Sequence, residues 1–219
     1  MLTLADPKIL QIPLIENGER LVPLDGLNAR IIVDNSKENT DALGYEPCFY
    51  IRETVGCKLV EAVLQTPDNY AFLIKESLRP RNLQALWFGD YLRSIWDANP
   101  ALPEVEAVAL AARFVAPPSV AGHPTGGAVD LTLCDLRGYE FDLGCAYDQD
   151  EKTSNGACFS HFERISPEAS KHRRILFEAL SSVGFVNYPF EWWHWSYGDR
   201  YWAAVTEHPH ALYDAVADR

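Results

Sequence analysis

Three short stretches of this 219-residue chain hold residue types that do chemistry together. His123 lies in a loop and is followed, after Pro124-Thr125-Gly126-Gly127-Ala128-Val129, by Asp130 in an alternating, strand-like run. Gly126 and Gly127 let the backbone turn sharply and bring His123 back beside Asp130. Glu191-Trp192-Trp193-His194 adds a second imidazole and a second carboxylate. Arg79, followed by Pro80, ends a short apolar run, where a guanidinium is costly to bury unless it meets an anion or a strong acceptor. Two imidazoles and one carboxylate suit one catalytic zinc, with a fourth position left for water. On that reading His123, Asp130 and His194 are the ligands, and Glu191 takes the water proton and passes it to the leaving amine. Arg79 steadies the oxyanion, a role in which losing one donor costs about 3 kcal/mol. Trp192 or Trp193 walls a small pocket.

Each motif alone has a plainer reading. A satisfied core histidine with a strand-end aspartate gives the same His-x6-Asp spacing, and the tryptophans are packing groups first. Two histidines and a carboxylate also form the facial triad of non-haem iron oxygenases, but those more typically show H-x-D, and the E-x-x-H glutamate has no task there. A zinc-bearing binding module without turnover is a further alternative, although a structural zinc needs neither Glu191 nor Arg79. The E-x-x-H motif carries a geometric condition. In a regular strand Glu191 and His194 point to opposite faces, so a shared site requires Glu191 to lie in the turn after Pro189.

The elements that must position these residues are a mixture of helical and extended stretches without a regular strand–helix repeat, which predicts an α+β class. Apolar spacing predicts a helix over 54–65 and a buried strand over 70–75 that leads to Arg79. A stripe of Leu83, Leu86, Trp87, Tyr91, Ile95 and Trp96 predicts a second helix with its aromatics in the core. Residues 100–126 read as largely loop, and 127–133 as a strand with Val129, Leu131 and Leu133 on one face and Ala128, Asp130 and Thr132 on the other. Ser166-Pro167 starts a helix that stops at Gly184; a hairpin of 185–188 with 193–197 follows, then a short helix over 210–217. Residues 1–50 read as an irregular part packed on one domain spanning 1–219, with an extended stretch at 29–33.

Charge narrows the partners. A formal charge of −12 disfavours nucleic acid. The basic run Lys171-His172-Arg173-Arg174 falls in a helical segment and reads as a solvated face. The start of the chain lacks a signal-peptide pattern and no apolar run is long enough to span a bilayer, so a cytoplasmic protein without a membrane partner is expected. Five cysteines without a C-x-x-C pair read as reduced thiols.

At the three motifs the chain resembles the D-alanyl-D-alanine dipeptidases, vancomycin-resistance enzymes included, within the zinc D,D-peptidases. The pattern S-x-H-x-x-G-x-A-x-D-L-T-L is met by His123, Gly126, Ala128, Asp130, Leu131, Thr132 and Leu133. E-W-W-H-F is met by Glu191, Trp192, Trp193 and His194, and Y-R-P-x-x-x-Q by Arg79, Pro80 and Gln84. The resemblance implies a compact α+β domain, zinc D,D-peptidase or hedgehog-like, whose central antiparallel sheet carries one zinc per chain. It also implies a small D-amino-acid dipeptide substrate, D-Ala-D-Ala, whose free amino group meets Asp148. Three departures touch substrate recognition: Ala121 stands at the family's serine, Leu78 at its tyrosine, and Arg30 to Asn35 match its N-terminal segment poorly.

Overall fold

A computed structural model describes residues 2–217. The main sheet forms from β2 (Ile31–Val33), β4 (Ala71–Glu76), β5 (Ala128–Cys134), β6 (Val186–Asn187) and β7 (His194–Ser196), in the order β2-β4-β5-β7-β6. The β4–β5, β5–β7 and β6–β7 pairs are antiparallel, while the edge strand β2 joins β4 in parallel. A two-stranded ribbon of β1 (Leu21–Pro23) and β3 (Tyr50–Arg52) stands beside it.

Period-two alternation sorts the sheet into two faces. Phe72, Ile74, Val129, Leu131, Leu133 and Trp195 belong to the main core together with residues of α3 (Glu53–Gln65) and α6 (Pro167–Ser182). Asp130 and Thr132 occupy the opposite face, as their alternation with Val129 and Leu131 predicts. α6 starts where Ser166 accepts a bond from Ala169 N, and its C-cap Val183 is followed by Gly184, whose φ of 92° only glycine adopts freely.

The N-terminal part contributes α1 (Pro7–Gln11), α2 (Lys37–Leu43) and core residues Leu24, Ile31 and Ile51. Arg52 ties it down: Nε donates to Thr125 O (2.8 Å), Nη1 to Glu19 O (2.6 Å) and Nη2 to Asp214 O (3.1 Å), while the guanidinium pairs with Glu16. One buried cation thus links the N-terminal segment, the loop carrying His123 and the C-terminal segment.

Four expectations are corrected. The stretch 100–126 contains a helix, α5 (Glu104–Ala111), preceded by Pro103 at its N-cap; its near-uniform apolar sequence leaves little amphipathic signal. Residues 210–217 form no helix, because their backbone is used in other pairings, with Leu14, Pro13 and Pro124. The helix in that region is α7 (Arg200–Val205), capped by Asp199 accepting from Trp202 N. The aromatic stripe of α4 (Arg81–Ala98) is not core: Gln84 is the buried residue of that helix and Leu86 is 57% exposed. In the basic run of α6, Lys171 and Arg174 are exposed but His172 and Arg173 are buried, since Arg173 finds four carbonyl acceptors beneath the helix. Among the described residues, no helix is long and apolar enough to cross a membrane.

Candidate metal and catalytic centre

The site is a row across three strands. In the β4–β5–β7 register Glu76 stands opposite Asp130, and Asp130 opposite His194. Directly paired residues on antiparallel strands project to the same face, so the three side chains lie abreast. Glu76 enters that row through a bulge: Ile74 pairs with Leu131 and Glu76 with Asp130, leaving Lys75 as the extra residue. Without the bulge, Lys75 would oppose Asp130.

His123 reaches the row from a single 3-10 turn, His123–Thr125, ended by Gly126 at φ 71°. Gly122 before it has no room for a side chain, since a Cβ there would lie 2.4 Å from Asp199 Oδ2 and 2.9 Å from the Ala128 Cβ. His123 Nδ1 lies 2.7 Å from Ser77 O. A carbonyl only accepts, so Nδ1 carries the proton and the Nε2 lone pair points into the site.

Three donor atoms converge there. His123 Nε2 lies 3.1 Å from His194 Nδ1 and 3.2 Å from Asp130 Oδ1, and His194 Nδ1 lies 2.8 Å from Asp130 Oδ1. Tetrahedral ligands at zinc bond lengths stand about 3.3 Å apart. Two nitrogens and one carboxylate oxygen at these separations fit a zinc ion. Asp130 is buried, which by itself would raise its pKa, but the two imidazoles hold its carboxyl far below the usual range. Tyr147 donates to its other oxygen, Oδ2, at 3.3 Å.

Glu191 lies outside β7, in the turn after Pro189, with its N–H bonded to Tyr188 O and its C=O accepting from His194 N. The condition set by the E-x-x-H spacing is therefore met. Burial, and then the charges of Asp130 and Asp148, push the Glu191 carboxyl well above the ordinary glutamate range.

Arg79 follows the end of β4. Its Nε and Nη2 bind the two oxygens of Glu76, Nη1 donates to Gln84 Oε1 (2.8 Å), and the guanidinium lies 4.6 Å from the Trp87 ring centroid. Gln84 in turn donates to Ala116 O (2.8 Å), and Tyr45 donates to Glu76 Oε1 (2.5 Å). Burial opposes the Arg79 charge, but Glu76 more than compensates and the pKa is raised.

A cavity of about 300 Å³ lies over the row, and Arg79, His123, Asp130, Asp148, Glu191 and His194 all line it. Asp148 adopts φ 62°, a left-handed conformation that aspartate tolerates better than most residues. It stands at the more open part of the site, where surrounding protein and then the Asp130 and Glu76 charges push its carboxyl up to about 7. Trp192 is not on the cavity wall. It is buried away from it, its indole N–H directed at Cys145 Sγ (3.3 Å), while its neighbour Trp193 lines the cavity. The strand that begins at His194 does not extend back to these residues, so alternation could not decide between them. The five cysteines are unpaired, and none joins the His123–Asp130–His194 group.

Several site residues escaped the sequence reading. Glu76 is hidden by the bulge, and Tyr147 by its irregular loop. Asp199, a buried cavity residue whose pKa burial raises, carries the visible signal of a helix cap, G-D-R before an apolar run.

An α+β fold that presents two imidazoles and a carboxylate on one row, with an unligated glutamate over the same cavity, defines a candidate mononuclear metal hydrolase. The chain belongs to the peptidase M15 family described as D-ala-D-ala dipeptidase, whose profile matches residues 50–213. It is 30% identical over 105 residues to a D-alanyl-D-alanine dipeptidase of Synechocystis sp. (43% of this chain, 41% of that protein). With the D-alanyl-D-alanine dipeptidase of Escherichia coli it shares 28% identity over 122 residues (56% and 52%), and with that of Enterococcus faecalis 28% over 169 residues (69% and 75%). The chain thus spans about half the length, or less, of the first two relatives. Among solved structures, a Zn(II) complex of a mutant vancomycin resistance D,D-pentapeptidase from a VanB-type cassette aligns over 94% of this chain and 95% of that one, with 16% identity and a TM-score of 0.47.

Proposed function

We propose that the chain is a zinc-dependent dipeptidase hydrolysing D-Ala-D-Ala in the cytoplasm, with one zinc held by His123, Asp130 and His194. The observation that carries this reading is the convergence of His123 Nε2, Asp130 Oδ1 and His194 Nδ1 beneath a cavity that Glu191 also lines. Zinc in this site supplies an electrophile for the peptide carbonyl and lowers the pKa of water to about 7.

The chain's own groups do the rest. Glu191 accepts the proton of the attacking water and returns it to the amine nitrogen as the C–N bond breaks, a transfer favoured by its raised pKa. Arg79 has three of its five N–H groups fixed by Glu76 and Gln84, with the Tyr45 hydroxyl also beside its guanidinium, and offers a remaining N–H to the developing oxyanion. Asp148 accepts the substrate ammonium, and Trp193 supplies the aromatic wall first assigned to Trp192 or Trp193. A cavity of about 300 Å³ is at the small end for ligand sites and favours a dipeptide over a longer cell-wall peptide, which a D,D-carboxypeptidase would take.

The test is release of D-alanine from D-Ala-D-Ala by the zinc-loaded protein beside Glu191→Gln, with bound zinc measured on both. Turnover by the parent and a loss of about 10²- to 10⁴-fold in a variant that keeps its zinc is the expected result. A parent that binds one zinc yet leaves the dipeptide intact rejects the reading.

A further inference from the structure

Part of the cavity wall comes from outside the region that matches the family. That region begins at residue 50, yet Leu4, Ala42 and Leu43 line the cavity. Leu4 is 7% exposed and packs in a small apolar cluster with Ala112, Val120, Tyr188 and Tyr201. Tyr188 and Tyr201 line the same cavity.

The segment carrying Leu4 is held at several points. Asp6 caps α1 through Lys8 N (2.9 Å), and Ile9 is fully buried. Arg200 Nη1 donates to Leu10 O (2.7 Å) and Ile12 O (2.6 Å), so α1 is tied to α7. Leu4 therefore sits on an anchored wall, and its side chain can neither donate nor accept a hydrogen bond. A further peptide unit pushed against it would bury an N–H and a C=O without partners, in addition to the steric conflict.

Resting on the dipeptidase reading, we infer that Leu4 is a specificity-determining residue, which closes the cavity and limits the peptide admitted to two small residues. Substrate length is then set by a segment outside the matched family region, separately from the residues proposed for the chemistry.

The experiment compares kcat/KM for D-Ala-D-Ala with that for tripeptides carrying one more alanine at either end, in the zinc-loaded parent, Leu4→Gly, Leu4→Ala and Leu4→Trp. Dipeptide and tripeptide affinities are measured in parallel by calorimetry on Glu191→Gln with and without the Leu4 substitutions. The tripeptide-to-dipeptide ratio is expected to rise about tenfold or more in Leu4→Gly and less in Leu4→Ala, while Leu4→Trp raises KM for the dipeptide. A ratio that stays at the parent value in a folded Leu4→Gly protein overturns the assignment. Should Leu4→Gly fail to fold, the ratio in Leu4→Ala and the dipeptide KM in Leu4→Trp decide in the same way. A parent that hydrolyses the dipeptide while no Leu4 variant shifts these quantities sinks only the role of Leu4. A parent that hydrolyses neither peptide sinks the dipeptidase reading and the Leu4 assignment together.

Discussion

Arg79 and Arg173 are both largely buried guanidiniums, and their surroundings treat the charge in opposite ways. Arg79 meets a full carboxylate, Glu76, on two of its nitrogens, and its pKa is raised. Arg173 has no such partner. Its Nε donates to Leu143 O (2.7 Å) and its Nη1 to Phe159 O (2.8 Å), with Ser160 O and Ala157 O completing the set, and burial lowers its pKa. One cation is balanced by charge and has two N–H groups that Glu76 and Gln84 do not use. The other is spent on backbone carbonyls and crosslinks residues 143–160, the loop that presents Tyr147 and Asp148 to the site. Burial of a guanidinium does not by itself mark catalysis; the partner's charge and the donors left over distinguish the two environments.

The largest effect that could break this comparison is on turnover. Arg79→Met should lower kcat by about 10²- to 10³-fold through loss of oxyanion donors, with zinc content retained. A variant that kept its kcat and lost only stability would make Arg79 a structural cation like Arg173.

Arg173→Met should do the reverse. Leaving several buried carbonyls without a donor is expected to cost about 3 kcal/mol, read as a lower urea midpoint, while the folded fraction retains most of its turnover. A large fall in kcat at unchanged stability would place Arg173 in the chemistry and remove the contrast.

The smallest effect sharpens it at a third buried cation. Lys75 Nζ pairs with Asp34 Oδ2 at 2.7 Å and with Glu140 Oε1 at 2.5 Å, away from the cavity. Burial would raise the Asp34 carboxyl, but its bond to Lys75 prevails and holds it below the usual range. A depressed carboxylate stabilises the fold above its unfolded value of about pH 4, and that contribution is lost as pH falls through its lower folded value. Asp34→Asn should therefore flatten the acid limb of stability against pH, measured by urea midpoints, and leave turnover near neutrality alone. An acid limb as steep as the parent's would show that the Lys75 pair contributes no pH-dependent stability.

Much of the site was legible in the sequence because its residues cluster in short motifs with local constraints. The alternation of 128–133 put Asp130 opposite the apolar face, and the demand that Glu191 share a site with His194 placed it in the turn after Pro189. Ser166-Pro167 and Gly184 marked both ends of α6 through capping chemistry that needs no tertiary context. Where the signal was non-local it failed. The stripe on α4 has the period of a buried helix, but half-buried aromatics, of which Trp87 lines the cavity, share that period. Trp192 and Trp193 are adjacent and alike, and a turn rather than a strand decides which of them faces the cavity.

The sequence by itself determined the donor types, their order, the turn that frees Glu191, and the strand that carries Asp130, because each follows from backbone preferences over a few residues. Tertiary structure alone decided that Glu76 stands beside Asp130 and that Leu4 reaches the cavity wall. The first depends on one extra residue in the pairing of two strands about 55 positions apart, and the second on packing between opposite ends of the chain. Neither leaves a periodic trace, since strand register and long-range packing are settled by the sum of many contacts rather than by any local residue pattern.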